Sequence, residues 1–127
     1  EAVDIIQPDM TQCGGLLEVK RVADLAARHG VVLAPHCPRG PVATAVGVQC
    51  AVTTPNFLIL EYALDTGGID WRQEIVTTPE VIEDGRFPLP TAPGLGVDLI
   101  ESELKRHHAD RFIREIPGYY DPEFTIK

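Results

Sequence analysis

Three residues whose side chains can hold or move a proton recur at near-equal spacing in the first half of this chain: Asp9, His36 and Glu61. Each closes an apolar run, "VDIIQPD", "VVLAPH" and "FLILE", and each interval is about the length of one strand plus one helix. A carboxylate beside an imidazole stabilises the imidazolium and fixes which ring nitrogen carries the hydrogen. Asp9 next to His36 would do this. Glu61, if protonated, would donate a hydrogen bond to developing negative charge; if ionised, it would act as a base. The trio therefore suits proton transfer. Plainer readings exist for each residue alone. An Asp after a strand is commonly a turn residue or helix cap, a strand-end His is commonly structural, and a Glu after "FLIL" can simply be solvated. The joint pattern, in register and evenly spaced, puts the chemical reading on a level with the plainer ones.

The elements that must position these groups alternate. Residues 2–9 read as a short buried strand, 16–30 as an amphipathic helix, 31–36 as a second strand, 41–54 as a second helix and 56–62 as a third strand. In the first helix Leu16, Val19, Val22, Ala23 and Ala26 fall on one side. Glu18, Arg21, Asp24 and Arg28 populate the other, with Asp24 and Arg28 as an i,i+4 pair. Gly30 stands where a C-terminal cap belongs. The second helix opens on Pro41, which needs no amide hydrogen there, and is apolar nearly all round, so it should be buried on several sides. Strand–helix–strand–helix–strand with such connections predicts a parallel sheet, whose functional face lies at the carboxyl ends of the strands. Side chains alternate along a strand, so Asp9 shares a face with Ile5 and Gln7, His36 with Val32 and Ala34, and Glu61 with Phe57 and Ile59. In a barrel that face points inward, and the rigid turn "PHCPRGP" would hold the His at low entropic cost.

After Glu61 the alternation stops. Residues 63–74 read as an extended loop. Two strand-like pieces flank a hairpin signal at Asp84-Gly85, "TAPGLGVDL" reads as irregular, and 99–108 as a short helix. His29, His107 and His108 lie near helix ends, where contact with the last carbonyls accounts for them. Trp71 and the Tyr119–Tyr120 pair are expected to pack. The chain has 127 residues, 44% hydrophobic and 24% charged, enough for one modest core. Its formal charge of -8 argues against nucleic acid and anionic membranes as partners. No apolar run is long enough to span a bilayer and no signal-peptide pattern is visible. Three cysteines without a C-x-x-C pair fit reduced thiols in a cytoplasmic protein better than a disulfide scaffold or a zinc site. A start at Glu1, directly before a strand-like run, predicts missing material upstream.

The stretches "DIIQPDMTQCGGLLEVKRVADLA", "APHCPRGPVATA", "TPNFLILE" and "EDGRFPLPTAPGLGVDL" together resemble the carboxyl-terminal part of the enolase superfamily. Within it they are most similar to the mandelate racemase subgroup and its sugar-acid dehydratases of the galactonate type, over about residues 2 to 105. The resemblance implies an α/β fold, the carboxyl-terminal part of a modified TIM barrel with its last three strands and two helices, plus a segment returning to a capping domain. Residues 3–8, 31–35 and 57–60 would be strands six to eight. Residues 1–62 would form the barrel segment, and 63–127 a carboxyl-terminal segment with hairpin and short helix packing toward the cap. By position, His36 and Asp9 would be the catalytic dyad and Glu61 the assisting acid at the end of strand eight. The implied chemistry is that of a hydro-lyase: a proton is removed next to a carboxylate, giving an enediolate held by Mg²⁺, and a β-hydroxyl is lost to leave a 2-keto-3-deoxy acid. A racemase or epimerase on the same scaffold, or a non-catalytic piece, are the alternatives. The family's Mg²⁺ ligands stand on strands three to five, which this chain does not contain, so no metal or cofactor ligand is assigned here. A whole barrel needs about 250 residues. The chain alone is therefore expected to be inactive, not to hold Mg²⁺ tightly, and to associate through its exposed strand edges with copies of itself or with the rest of a barrel. The implied partner is a small-molecule sugar acid.

Overall fold

Apolar runs that end in proline make short ladders, because proline has no amide hydrogen to continue them. In a computed structural model, which describes residues 2–63 and 70–107, β1 (Ile5–Ile6) and β2 (Val32–Leu33) pair in parallel, with Ile5 opposite Val32 and Ile6 opposite Leu33. The ladder extends by two further bonds, from Val32 N–H to Asp4 (3.0 Å) and from Ala34 N–H to Ile6 (2.9 Å). The third run lies on the other side of β2. It makes one parallel bridge, Leu33 to Phe57, with Leu33 N–H donating to Asn56 and Leu58 N–H to Leu33, both at 2.8 Å. The three expected strands are thus present side by side, but far shorter than their apolar runs. Pro8 and Pro35 end the first two, and among the described residues the outer two each have a strand partner on one side only. Ile5, Leu58 and Ile59 are 49%, 54% and 63% exposed along those open edges.

The helices between the strands follow the sequence closely. α1 (Leu16–Ala27) buries Val19, Ala23 and Ala26, whereas Val22, expected on the same side, is exposed. It ends at Gly30, whose φ of 71° lets Val31 N–H reach back to the Ala26 carbonyl (3.1 Å) and its own N–H to Ala27 (3.1 Å), a Schellman closure. On the outer face Arg21 pairs with Glu18; the expected Asp24–Arg28 pair is not among the ion pairs of the described residues. α2 (Pro41–Val52) starts on Pro41 and buries Pro41, Thr44, Gly47, Val48 and Cys50. Gly47 is needed for close approach: a Cβ there would stand 2.9 Å from Leu60 Cδ1. Met10, Val19, Ala23, Leu33 and Cys50 form the core, with Ile6, Leu16 and Val46 packed on it. Complete burial of Val19 and Leu33 stabilises by about 1.5–3 kcal/mol each. At the amino ends of the strands, Asn56 Nδ2 donates to the carbonyls of Ala23 (3.1 Å) and Val31 (2.9 Å) and ties α1, β2 and the third run together.

The returning segment is irregular, as its Pro and Gly content predicts. A 3-10 helix, Asp70–Gln73, precedes an antiparallel bridge between Val76 and Leu99. Asp84 and Gly85 both have positive φ, 50° and 74°, the two-residue turn that Asp-Gly favours. The pairing around it stops at Glu83 and Arg86. The strand-like piece before the turn pairs instead with 98–100, because residues after Arg86 are broken by Pro88 and Pro90. α3 (Glu101–Arg106) is shorter than the expected 99–108. Trp71 packs face to face on His107, with ring centroids 4.4 Å apart and planes at 7°. His107 is thus engaged by Trp71, and by Glu74 at 3.1 Å, rather than by a helix-end carbonyl. The expectations for 64–69, His108, Tyr119 and Tyr120 lie outside the described residues.

Candidate functional site

Asp9 stands one residue beyond Pro8, where β1 gives way to a turn. Its carbonyl accepts from the amides of Gln12 (3.0 Å) and Cys13 (2.8 Å). Its Oδ1 accepts from the Thr11 amide (2.7 Å) and hydroxyl (2.6 Å). This is the side-chain-to-backbone turn that Asp makes readily. The other oxygen, Oδ2, faces the neighbouring strand end and meets His36 Nδ1 at 3.0 Å. Arg39 Nε lies 3.6 Å from the same oxygen. Burial pushes the Asp9 carboxyl up. The hydrogen bonds from the Thr11 hydroxyl, His36 and the Thr11 amide, with the Arg39 charge, outweigh burial and bring it from 3.8 to about 2.

Asp9 is therefore ionised at neutral pH and can only accept, so the hydrogen on His36 sits on Nδ1. Nε2 is left facing outward, 3.9 Å from Glu61 Oε2. Glu61 is held from two sides. Its amide donates to the Pro35 carbonyl (3.3 Å), and its Oε2 accepts from the Cys37 amide (3.2 Å). The structure thus brings all three sequence-predicted residues to one rim, at the carboxyl ends of three adjacent parallel runs. Burial is graded across them. The Asp9 side chain is 7% exposed, His36 42% and Glu61 43%. An anchored carboxylate, an imidazole with one open nitrogen and a second, wetter carboxylate can together accept and return a proton.

Two participants escaped sequence reasoning. Thr11 was visible in principle, since Asp-Met-Thr after a strand is a turn signal. Arg39 sits in the same rigid turn as His36, two residues past Cys37. Neither the chain spacing nor the hydrophobic pattern singles out Arg72 or Glu80, whose buried contacts lie behind Glu61.

Among the described residues the rim forms no metal-binding cluster. Asp9 is taken up by Thr11, His36 and Arg39, and of the three rim residues only Glu61 keeps a carboxylate with no cationic group closer than the 3.9 Å to His36. Elsewhere, Glu74, Glu103 and His107 bring ligand atoms within 4.8 Å of one another, a set able to hold a cation. Both carboxylates of that set already engage the guanidinium of Arg106. No helix among the described residues is long and apolar enough to cross a membrane. Cys13, Cys37 and Cys50 are free thiols, and burial pushes that of Cys37 up.

Comparison with known proteins sets this geometry in context. A family described as enolase C-terminal domain-like matches residues 1–103. A D-xylonate dehydratase of Haloferax volcanii is 35% identical over 107 residues, covering 84% of this chain and 26% of the relative. A solved mandelate racemase/muconate lactonizing enzyme from Jannaschia sp. CCS1 is 37% identical, with a TM-score of 0.74 over 83% of this chain and 26% of that one. An enolase from Pantoea ananatis, solved with bound D-gluconate and Mg, superposes with a TM-score of 0.74 at 25% identity, over 82% of this chain and 25% of that one. The chain spans about a quarter of the length of the curated relatives it matches.

Proposed function

The chain belongs to the enolase superfamily, in its mandelate-racemase/muconate-lactonizing branch, and from that premise we propose that it forms the base-bearing rim of a Mg²⁺-dependent sugar-acid dehydratase. The observation that carries this reading is the 3.0 Å contact between Asp9 and His36 Nδ1, which turns Nε2 outward beside Glu61. In the proposed reaction a C–H bond next to the substrate carboxylate breaks, and its electrons form an enediolate. The C–O bond to the β-hydroxyl then breaks, and that hydroxyl leaves as water after taking up a proton. The resulting enol tautomerises to the 2-keto-3-deoxy acid, so no oxidant or reductant is consumed. His36 exchanges one of these protons through Nε2, as base or as acid. Ionised Asp9 holds the ring in place through Nδ1. Glu61 donates to, or takes a proton from, the group forming next to Nε2.

Mg²⁺ would supply positive charge for the substrate carboxylate. Its ligands are proposed to lie on parts of the whole enzyme outside this chain, because Asp9, the enclosed carboxylate of the described rim, is already taken up by Thr11, His36 and Arg39. The open edges at Ile5 and at Leu58–Ile59 are proposed to pair with the rest of a barrel. Free thiols fit a reducing, cytoplasmic setting.

The test uses the full-length protein carrying these residues, with Mg²⁺ and D-xylonate, D-gluconate or D-galactonate, and reads 2-keto acid as its semicarbazone. Wild type should turn over at least one of them, and His36→Asn should abolish product without unfolding. Full turnover by that variant removes His36 from the mechanism. Deuterium from solvent entering recovered substrate, with no loss of water, would replace the dehydratase by an epimerase.

A further inference from the structure

Behind the rim, the chain that leaves Glu61 is gripped by a buried ion pair that the chemistry above does not use. Arg72 and Glu80 have side chains 8% and 6% exposed, and Arg72 Nη2 meets the two Glu80 oxygens at 2.8 and 2.9 Å. Gln73 closes around Glu80: its side-chain amide donates to Oε2, and its Oε1 accepts from the Glu80 amide at 2.7 Å. The Tyr62 hydroxyl donates to the same carboxylate at 3.3 Å. The guanidinium also lies over the Tyr62 ring, 5.3 Å from its centroid, and Phe87 meets that ring edge-on.

Such a pair is a weak device for stability. Two desolvated ions gain little over an apolar pair of the same volume, and Arg72 Nε is buried without a partner among the described residues. What the guanidinium does have is reach in two directions. Nη1 donates to the carbonyl of Ala63, two residues past Glu61, at 3.4 Å. Nη2 donates to Thr44 Oγ1 on α2, also at 3.4 Å. Thr44 stands on α2, the helix that begins four residues past Cys37, and the Cys37 amide binds Glu61. Of the two supports of the Glu61 carboxylate, its own strand end is therefore held by Arg72 directly, and the turn that carries the Cys37 amide runs into the helix that Arg72 also holds.

We propose that Arg72, locked in place by Glu80, is a positioning residue that sets where the Glu61 carboxylate stands relative to His36 Nε2. It touches neither substrate nor reacting atoms. This rests on the reading of Glu61 as a participant in catalysis. Loss of the grip leaves binding largely intact and misplaces Glu61 in the reaction step, where an error of about 1 Å is worth up to roughly 100-fold in rate.

The experiment compares full-length wild type with the volume-conserving double variant Arg72→Met/Glu80→Leu and with Arg72→Lys. Lysine keeps the charge opposite Glu80 but cannot reach Ala63 and Thr44 together. Hydrogen exchange of the segments around Cys37 and Glu61 is read by mass spectrometry, beside kcat, KM and Tm. The double variant should keep or raise Tm, exchange faster in both segments, and lose about 10- to 100-fold in kcat with KM within about threefold. Arg72→Lys should show an intermediate loss, and it decides the matter if the double variant does not fold. Unchanged exchange around Cys37 and Glu61 overturns the proposal whatever the activity. So does unchanged kcat in a folded variant of an active enzyme. Faster exchange in a protein whose wild type dehydrates no sugar acid would sink the dehydratase reading and leave the positioning role standing.

Discussion

Replacing Asp9 by Asn separates what its charge does from what its shape does. Asn keeps the size of the side chain and an oxygen for Thr11, but it presents an amide N–H₂ or a neutral oxygen to His36 Nδ1. When the amide donates, the ring hydrogen must move to Nε2, and the outward nitrogen can no longer accept a proton. An analogous Asp→Asn exchange behind a catalytic His in serine proteases lowers kcat about 10⁴-fold. Here the rim is wetter at His36, so a loss of about 10²- to 10⁴-fold in kcat is expected. The charge also bears on stability. The folded carboxyl titrates at about 2 against a usual 3.8. A depressed folded value stabilises above the unfolded value, and that contribution disappears as pH falls from about 4 through about 2. At 1.36 kcal/mol per pH unit, and discounted for the solvent-facing side of the rim, it amounts to about 1–2 kcal/mol. The assay is urea unfolding of full-length wild type and Asp9→Asn at several pH values from 7 to 2, with kcat measured at pH 7. The gap in stability should be widest at pH 7 and close toward pH 2. A gap that stays constant across that range, or an Asp9→Asn enzyme with wild-type kcat, would refute the reasoning.

Other substitutions test the frame around the site. Gly47→Ala gains helix propensity but places a methyl 2.9 Å from Leu60 Cδ1, so thermal unfolding should show a net loss of about 1 kcal/mol, relieved when Leu60 is also shortened to Ala. Asn56→Ala removes two hydrogen bonds, one to the helical carbonyl of Ala23 and one to the Val31 carbonyl, and should cost about 2 kcal/mol in urea unfolding, with kcat unchanged. Iodoacetamide should label exposed Cys13 first, and Cys37 and Cys50 only under denaturing conditions; early labelling at Cys37 would show that the floor of the rim opens.

The trio and the alternation that positions it were legible because both depend on local rules. An apolar run, a proline and a polar terminus can be read without knowing what lies across the fold. So can Gly30 and Pro41, whose roles at helix ends follow from backbone geometry. Strand length was not legible. How far a run pairs depends on its neighbours, and among the described residues the outer runs have one neighbour each while Pro8 and Pro35 close the ladder early. The hairpin shows the same limit: the Asp84-Gly85 turn formed as its residues require, but Val76 found Leu99 rather than a partner across the turn. Arg72 and Glu80 were invisible for a related reason. A buried ion pair has no period and no spacing, and is defined only by what surrounds it.

The bland and the chemical readings of Asp9 turn out to be compatible, and their agreement bears on the mechanism. As a turn residue, Asp9 has its backbone carbonyl held by Gln12 and Cys13 and its Oδ1 held twice by Thr11. Those four bonds leave the carboxylate plane little freedom, and so aim Oδ2 at the neighbouring strand end. The imidazole that meets it rides on a turn whose three prolines, Pro35, Pro38 and Pro41, restrict the backbone. Both partners are therefore placed by local structure before any substrate arrives, and little reorganisation is left for the moment of proton transfer. A fixed dipole aimed at developing charge is worth more than one that must turn to meet it. Glu61 has no such turn of its own. Its carboxylate depends on the Cys37 amide and on the strand end behind it, so under the proposed mechanism the residues that hold that strand end would bear on the reaction without touching it.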